Sequence, residues 1–405
     1  MPGPGPDAVP EQHGEPTTWV PGATGSLFDL DHLPYGVFAR GEEEPRVGVR
    51  IGDHVLDLAP IAAAQMLEVS RTFQQPSLNE LMGYGPELVA ALRRWIVGLL
   101  TQADERPLVE PHLVPLTEVT LSLPIEVADY VDFYASEHHA TNVGRILRPD
   151  GEPLLANWKH LPVGYHGRAG TVVASGTPIR RPSGQRRGGT FGPSARLDVE
   201  AELGFVVGVG STLGTPVPCS AFAEHVFGVV GLNDWSARDI QAWEYQPLGP
   251  FLGKSFATSI SHWVTPLAAL DAAWVDPPPQ DPEPLPYLAP GATRGLDLDV
   301  EIEVNGRVVS RPAYRTMYWS PAQMLAHLTV NGASLRTGDL FGSGTISGPE
   351  PGQRGCLLEL GWGEESAFLA DGDEVVLRYT APGTGGGRIG LGEVRGGIAS
   401  ALPTP

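Results

Sequence analysis

An alternating run of nine residues places the strongest constraint on how this chain can fold. From Leu197 to Phe205, apolar side chains alternate with Asp198, Glu200 and Glu202, a pattern that predicts a β-strand with one apolar and one acidic face. Glu200 and Glu202 then point the same way, roughly 7 Å apart along the strand. Neighbouring carboxylates repel each other unless water, a cationic side chain or a metal ion screens them. The run alone leaves these three possibilities open.

A second alternating run shows why spacing alone does not identify a site. Between Leu296 and Val304 one face is acidic, and Asn305-Gly306 predicts a hairpin turn before a return strand. Acidic faces of half-buried strands are usually just solvated. On spacing alone the same interpretation is the more common one for Glu200 and Glu202. The acidic residues of the second run are Asp297, Asp299, Glu301 and Glu303.

Glycine and proline together make up about a fifth of the chain, with 51 and 40 among 405 residues. This favours many short strands joined by turns over long helices. The length allows two or three domains with a sizeable core. We expect residues 1–24 to form a flexible arm, 25–118 a small domain and 119–405 a larger one, with the proline-containing segment 104–118 as the boundary.

Charge and cysteine content exclude several classes of protein. The chain carries 27 basic and 47 acidic residues, for a net charge of -20, which repels nucleic acid and anionic membranes. Cys219 and Cys356 are the only cysteines, too few for a disulfide framework or a cysteine zinc site. The N-terminus lacks signal-peptide features, and no apolar run approaches the ~18 residues of a membrane span. We expect a soluble cytoplasmic protein.

The segment from Phe227 to Tyr245 combines an apolar strand with a polar helical face. We expect the strand to end before Asp234, with Asp234 as the N-cap of a short helix. Arg238, Gln241 and Tyr245 then share one face of that helix. A cation, an amide and a phenol at the end of a strand indicate a binding site. The competing interpretation is a simple cap and a surface ion pair.

Two further segments concentrate reactive groups. Residues 129–142 offer carboxylates, phenols and imidazoles, although a lone histidine is more often structural than catalytic. Gly342–Gly348 is a loop of small residues whose backbone amides could hold an anion. Glu359 follows on a run that predicts an apolar strand.

Six sequence blocks complete a wider pattern, which covers the chain from about residue 25 to its end. The blocks are Asp132–Tyr134 with His139, Leu161–Arg168, Glu200–Glu202, Asn233–Gln241, Pro247–Ser255 and Ser343–Gly348. Together they resemble the fumarylacetoacetate hydrolase family. The Glu-x-Glu and Asn-Asp-Trp-Ser elements recur across the wider superfamily, whereas Leu161–Arg168 and Pro247–Ser255 resemble the members that cleave fumarylacetoacetate.

The resemblance implies metal-dependent hydrolysis of a carbon–carbon bond of 4-fumarylacetoacetate, a small anionic diketo acid. The products would be fumarate and acetoacetate, in the last step of tyrosine and phenylalanine catabolism. One divalent cation, Mg²⁺ or Ca²⁺, is expected on four carboxylates, because hard ions prefer oxygen ligands. A second, peripheral Mg²⁺ position would involve the Lys254 backbone and Thr258. The four carboxylates are those of Asp132, Glu200, Glu202 and Asp234.

The resemblance also implies roles in the reaction. His139 is expected as the general base, oriented by Glu359. The oxyanion and the departing acetoacetate carbanion would be stabilised by Arg238, Gln241 and Lys254. Arg148 is the expected partner of a substrate carboxylate. The substrate-contacting positions are Tyr134, Arg148, Tyr165, Gln241, Tyr245 and Thr345.

The fold implied by the resemblance is mainly β, of the α+β class. It consists of a small N-terminal SH3-like barrel over 25–118 and a larger mixed β-sandwich roll over 119–405, in a protein expected to be a homodimer. Two alternatives stay open. One is a related reaction on the same scaffold, such as acylpyruvate hydrolysis or decarboxylation or isomerisation of a diketo acid. The other is a non-catalytic Ca²⁺-binding β-sandwich.

Overall fold

The computed structural model describes residues 17–289, 294–364 and 367–403. Strands outnumber helices in these ranges, and most strands are short, so the prediction of a mainly β chain of the α+β class is confirmed. None of the helices within the described ranges has both the length and the apolar character needed to cross a membrane.

The first hundred described residues form a small, sheet-rich domain with one longer helix. Its elements are β1 (Tyr35–Ala39), β2 (Arg46–Ile51), β3 (His54–Asp57), α1 (Leu58–Ala64), α2 (Asn79–Gly83), α3 (Pro86–Thr101), α4 (Arg106–Val109), β4 (Leu113–Pro115) and β5 (Thr120–Leu121).

The rest of the chain builds two larger sheets and several short helices. Its elements are β6 (Tyr130–Phe133), α5 (Glu137–Leu147), β7 (Gly164–His166), β8 (Val172–Ala174), β9 (Ile179–Arg180), β10 (Ser183–Arg186), β11 (Thr190–Pro193), β12 (Leu197–Asp198), β13 (Ala201–Val207), α6 (Phe222–His225), β14 (Val226–Asp234), β15 (Ser236–Ala237), α7 (Arg238–Glu244), β16 (Thr258–Ile260), β17 (Trp263–Pro266), β18 (Trp274–Val275), β19 (Gly295–Leu296), β20 (Asp299–Val304), β21 (Arg307–Ser310), α8 (Pro321–Thr329), β22 (Leu340–Gly342), α9 (Leu357–Leu360), β23 (Glu374–Pro382) and β24 (Arg388–Ala399).

The main sheet runs through both parts of the chain. Its path is β4-β3-β2-β1-β17-β14-β13-β22-β6-β7. The N-terminal strands join it through β1, which pairs antiparallel with β17 at Tyr35 and Val264. Among the described residues, the strands of the expected SH3-like barrel therefore continue into the main sheet instead of closing on themselves.

A second sheet of five strands, in the order β21-β20-β23-β24-β9, packs on the main one. Tyr379 of β23 fixes the contact, because its ring lies against Gly231 of β14 and its hydroxyl donates to Leu232 O at 3.0 Å. Any β-carbon at Gly231 would clash with this ring. The two layers enclose the larger hydrophobic core, with Phe205, Trp319 and Leu377 fully buried in it.

Two predicted hairpin turns and one predicted helix start are confirmed. β2 and β3 form the hairpin expected around Gly52, which has a positive φ of 54°. α3 begins at Pro86, and β20 and β21 turn through Asn305 and Gly306, both in the left-handed region. Within the arm expected over 1–24, residues 1–16 lie outside the described ranges. Val20 is buried, and the backbone N–H of Trp19 donates a hydrogen bond to Leu100 O near the end of α3.

Three local predictions are wrong. The run from Leu197 to Phe205 is two strands, β12 and β13, that break at Val199 and Glu200. Asp234 is not a helix cap, because β14 runs on through it by pairing with Thr258 of β16, and α7 begins only at Arg238. Glu359 lies on the short helix α9 and not on a strand.

Candidate active site and metal centre

Four carboxylates converge where neighbouring strands of the main sheet end. Asp132, Glu200, Glu202 and Asp234 each contribute an oxygen atom, and these four atoms all lie within 4.8 Å of one another. They come together because β14, β13, β22 and β6 are adjacent in the sheet. At most 4% of each residue is exposed. Four carboxylates buried this close are unstable as anions unless positive charge accompanies them.

Two cations satisfy one side of this cluster. The Lys254 ammonium pairs with Glu200 Oε2 and with Asp234 Oδ2, the latter at 2.7 Å. Arg238 Nη2 lies 2.7 Å from Glu200 Oε1. Burial alone would lower the pKa of Lys254, but Asp234 and Glu200 raise it above its ordinary value. Burial likewise would raise the pKa of Glu200, but Lys254 and Arg238 lower it.

On the other side of the cluster, the described residues supply no paired cation. Within the same ranges, Asp132 Oδ1 and Glu202 Oε1 are buried without a hydrogen-bond partner. Burial, followed by repulsion from neighbouring carboxylates, raises the pKa of Asp132 and of Glu202 well above the ordinary range. Unpartnered buried oxygens and raised carboxyl pKa values are both expected of a site whose counter-charge is a bound ion.

The shape of the site also suits an ion. Gly342 of β22 lies between the strands of Glu202 and Asp132, and a β-carbon there would lie 2.5 Å from Asp132 Oδ1 and 2.9 Å from Glu202 Oε2. The absent side chain leaves room for the carboxylates to reach one point. The ligand atoms are all carboxylate oxygens, which hard divalent cations prefer. The residues therefore fit the expected cation.

An imidazole–carboxylate pair adjoins the cluster. His139 lies in the first turn of α5, and its backbone N–H donates to the N-cap residue Ser136 at 3.1 Å. Its Nδ1 atom is 2.6 Å from Glu359 Oε2, and its Nε2 atom is 4.0 Å from Glu200 Oε1. An ionised carboxylate can only accept, so Nδ1 donates to Glu359. In the neutral ring, Nε2 is then unprotonated and directed toward the cluster.

Glu359 is held as an anion by several donors. Burial alone would raise its pKa, but the charge of His139 and hydrogen bonds from His139, Asn142 and Ser347 lower it to about 2. Asn142 Nδ2 donates to Oε1 at 2.8 Å, and Ser347 Oγ donates to Oε2 at 2.8 Å. The Cys356 thiol donates weakly to Oε2 at 3.2 Å. Glu359 can therefore orient His139 without taking its proton.

No role was predicted from the sequence for Asn142, Ser347, Cys356 or Asp198. Asp198 is fully buried and accepts from Arg238 Nε at 2.7 Å and from Leu357 N at 2.7 Å. It thus ties the arginine to the start of α9, which carries Glu359. Asn142 could have been found, because it lies one helical turn after His139. Asp198 carries no such signal.

The predicted polar face of α7 is present. Arg238 Nη1 donates to Gln241 Oε1 at 3.3 Å, and Tyr245 lies at the C-terminal end of the helix. All three side chains line one cavity. Thr258 Oγ1 donates to Asp234 Oδ1 at 3.2 Å. The structure therefore brings these residues to the carboxylate cluster or to its edge.

The remaining predicted substrate contacts divide into two groups. Tyr165 donates to Asp132 Oδ2 at 3.1 Å and to Asp234 Oδ2 at 2.8 Å, and the Tyr134 ring meets His139 edge-to-face at 5.2 Å between centroids. Thr345 Oγ1 is buried, and no described residue forms a hydrogen bond with it. Arg148 differs, because its guanidinium donates to Pro153 O and to none of the four carboxylates.

Fold and site together define a class: an α+β protein with a buried carboxylate cluster suited to a divalent cation and an adjoining imidazole–carboxylate pair suited to act as a base. A family model described as fumarylacetoacetate (FAA) hydrolase C-terminal matches residues 129–399. A second, described as fumarylacetoacetase N-terminal, matches residues 31–124. The chain belongs to the fumarylacetoacetate hydrolase family.

Individual relatives agree with this assignment. The chain is 45% identical over 416 residues to the fumarylacetoacetase of Bos taurus, and 44% identical to that of Homo sapiens. Each comparison covers 95% of this chain and 99% of the relative. A solved fumarylacetoacetate hydrolase from the psychrophile Exiguobacterium antarcticum shares the fold, with a TM-score of 0.56 at 19% identity over 91% of this chain and 99% of that one.

Proposed function

We propose that this protein hydrolyses a carbon–carbon bond of 4-fumarylacetoacetate to give fumarate and acetoacetate, the last step of tyrosine and phenylalanine catabolism. The relatives from Bos taurus and Homo sapiens, which match this chain over nearly their whole length, are fumarylacetoacetases. The position of His139 is the observation that carries the proposal. This residue links Glu359 on one ring nitrogen to the edge of the carboxylate cluster on the other.

His139 acts as the general base in this proposal. Its Nε2 atom removes a proton from water, and the resulting hydroxide attacks the carbonyl carbon next to the fumaryl double bond. Glu359 stabilises the imidazolium that forms. When the carbon–carbon bond breaks, its electron pair passes to the acetoacetate fragment. The imidazolium returns the proton to that carbon, so the base is regenerated.

Developing negative charge is met by side chains that already lie at the cluster. Arg238 and Lys254 are buried cations fixed by ion pairs, and Gln241 offers an amide beside them. Such preorganised donors stabilise an oxyanion without reorganisation during the reaction. We propose that they also stabilise the enolate form of the departing fragment. Tyr134, Tyr165, Tyr245, Thr345 and Arg148 are the proposed substrate contacts.

Asp132, Glu200, Glu202 and Asp234 would hold the divalent cation, which we propose is Mg²⁺ or Ca²⁺. When bound, it would supply Lewis-acid polarisation of the substrate carbonyl. The unpartnered oxygens of Asp132 and Glu202 support this assignment. A second, peripheral Mg²⁺ position at Lys254 O and Thr258 remains a proposal.

The nearest rival is a related reaction on the same scaffold. An acylpyruvate hydrolase or a diketo-acid decarboxylase or isomerase would share the carboxylates but would not need Tyr165 or Arg148. Loss of absorbance can be followed with fumarylacetoacetate and with acylpyruvates in parallel. We expect a higher kcat/KM for fumarylacetoacetate, and a preference for acylpyruvates would overturn the assignment.

The rival of another class is a non-catalytic Ca²⁺-binding sandwich. His139→Ala separates the two, because it removes the base and leaves the four carboxylates in place. We expect turnover to fall by about 10² to 10⁴, the usual contribution of a general base, with cation affinity within about threefold of the wild type by calorimetry. Undiminished activity of the variant would contradict the proposed base.

Three further features are proposals that rest on the family resemblance and the composition. The chain would divide near residue 118 into the two domains expected from the sequence. It would form a homodimer, which light scattering in solution tests. Cys219 and Cys356 are both free and buried, which supports a reducing compartment such as the cytoplasm.

A further inference from the structure

A cavity of about 570 Å³ is lined in part by Arg238, which also contacts Glu200 of the carboxylate cluster. We call it the arginine cavity, because its wall contains four arginines and one carboxylate in a chain whose net charge is -20. Val143 and Leu147 of α5 form an apolar part of the wall. The charged residues of the wall are Arg186, Arg187, Arg196, Arg238 and Asp239.

The β10–β11 hairpin, which carries Arg186 and Arg187, is fixed to α7. A β-carbon on Gly184 would lie 2.8 Å from Ile240 Cδ1, so the hairpin backbone packs directly on the helix. At the base of the hairpin, Asp239 of α7 accepts from Ser194 Oγ at 2.6 Å and from Ala195 N at 2.9 Å. The hairpin therefore has a set position relative to the helix that carries Arg238 and Gln241.

The hairpin presents incompletely neutralised positive charge. Arg187 is exposed in a turn completed by Gly188 and Gly189, which have φ of 90° and 77°. It has no ion-pair partner among the residues that the structure describes. Arg186 Nη1 is 3.9 Å from Asp239 Oδ2, on a carboxylate that already accepts three hydrogen bonds. Arg186 Nε is buried without a hydrogen-bond partner in the described part of the chain.

The arginine cavity and the proposed active site share residues. Arg238 lines the cavity and at the same time contacts Glu200. Gln241 and Tyr245, two proposed substrate contacts, line it as well. The substrate of the proposed reaction carries two carboxylates, so the acidic surface and the carboxylate cluster both repel it at a distance. A positively lined mouth offsets this repulsion.

We propose that the arginine cavity is the entrance through which the dianionic substrate reaches the carboxylate cluster. Arg186 and Arg187 attract the substrate over a distance and raise the rate of capture, and they take no part in the bond-breaking step. The inference rests on the proposed function, since it needs an anionic substrate. Clefts lined by one sign of charge raise association rates by about 10 to 10³, and salt screens the effect.

The test compares two single variants that remove the same charge. Arg187→Gln removes it from the mouth of the cavity. Arg307→Gln removes it from the tip of the β20–β21 hairpin, where Arg307 is also exposed and has no ion-pair partner within the described ranges. The wild type and both variants are assayed for kcat and kcat/KM with fumarylacetoacetate at about 0.01 M and about 1 M ionic strength, where the Debye lengths are about 30 and 3 Å. Melting temperatures confirm that both variants fold.

For Arg187→Gln we expect kcat/KM at low ionic strength to fall about fivefold with kcat unchanged, and the deficit to vanish at high ionic strength. Arg307→Gln should match the wild type in both conditions. Equal behaviour of the two variants, or a deficit that persists at high ionic strength, would overturn the proposed entrance. If the wild type itself hydrolyses no fumarylacetoacetate, the proposed function fails and this inference with it. An active wild type with indistinguishable variants overturns the entrance alone.

Discussion

Gly342 and Asp132 are paired on adjacent parallel strands, so close that a β-carbon on Gly342 would lie 2.5 Å from Asp132 Oδ1. The same β-carbon would lie 2.9 Å from Glu202 Oε2. Gly342 thus occupies the strand between two carboxylates that must meet. The carboxylate cluster requires glycine at this position because a side chain would displace the carboxylates. The backbone conformation of Gly342 does not itself require glycine.

Gly342→Ala is therefore expected to weaken cation binding. The added methyl group displaces the carboxylates of Asp132 and Glu202, and we expect the affinity for Mg²⁺ or Ca²⁺ to fall at least about tenfold, by about 1.4 kcal/mol. Titration calorimetry on chelator-treated protein measures this. Gly397→Ala is the matched control, because a β-carbon at Gly397 meets nothing within 4 Å. Equal cation affinity in the two variants would contradict the assigned site.

Asn142→Ala is expected to slow the reaction without weakening substrate binding. Asn142 gives Glu359 Oε1 its hydrogen bond, so the variant leaves that oxygen unpaired and Glu359 less well oriented. We expect kcat to fall about tenfold and KM to change by less than about twofold. Cys356→Ser, which retains a donor toward Oε2, should stay near the wild type. A rise in KM at constant kcat would show that Asn142 does not position the base.

Acid is expected to destabilise the protein through His32. This residue is fully buried, its Nδ1 donates to Leu27 O at 3.2 Å, and its Nε2 accepts from Thr265 Oγ1 at 2.9 Å. Burial, together with the charge of Arg93, lowers its pKa to about 3. The unfolded chain, whose His32 has a pKa of about 6.5, binds the proton first. The contribution of neutral His32 to the free energy of unfolding is therefore complete above pH 6.5 and is lost as the pH falls from 6.5 toward 3.

At pH 5 this loss should reach about 2 kcal/mol of the free energy of unfolding. Urea unfolding near pH 8 and near pH 5 measures it. His32→Gln should reduce the difference between the two conditions by that amount, while His160→Gln, at an exposed position, should not. An unchanged difference in His32→Gln would mean that His32 is not the group that titrates.

The two acidic runs show which features could be predicted from the local sequence and which could not. Each predicts one strand and is divided into two in the structure, and the acids of the two runs differ in burial and in partners. Asp299 is about half exposed and pairs with Arg315 and Arg388. Glu202 is fully buried and makes no ion pair with any residue that the structure describes. The difference depends on β22 and β6, which lie far away in the chain, so no local pattern contains it. The resemblance predicted these residues as one site because it includes those distant blocks.

The errors have local causes. A run as short as Leu357–Leu360 fits a strand and a helical turn equally well, and only its contacts decide. Asp234 has the residue type of a helix cap, yet pairing with Thr258 extends the strand through it. Asp198 could not be distinguished from its solvated neighbours, because its partners Arg238 and Leu357 reach it only through the tertiary fold.

We propose that a divalent cation on four carboxylates and the base His139 together hydrolyse fumarylacetoacetate. The direct measurement is turnover of this substrate before and after dialysis against a chelator, with fumarate and acetoacetate quantified as products. We predict that chelation abolishes turnover and that Mg²⁺ or Ca²⁺ restores it, with one of each product formed per substrate consumed. Turnover that survives complete removal of the metal, or that Zn²⁺ restores and Mg²⁺ and Ca²⁺ do not, would contradict the claim.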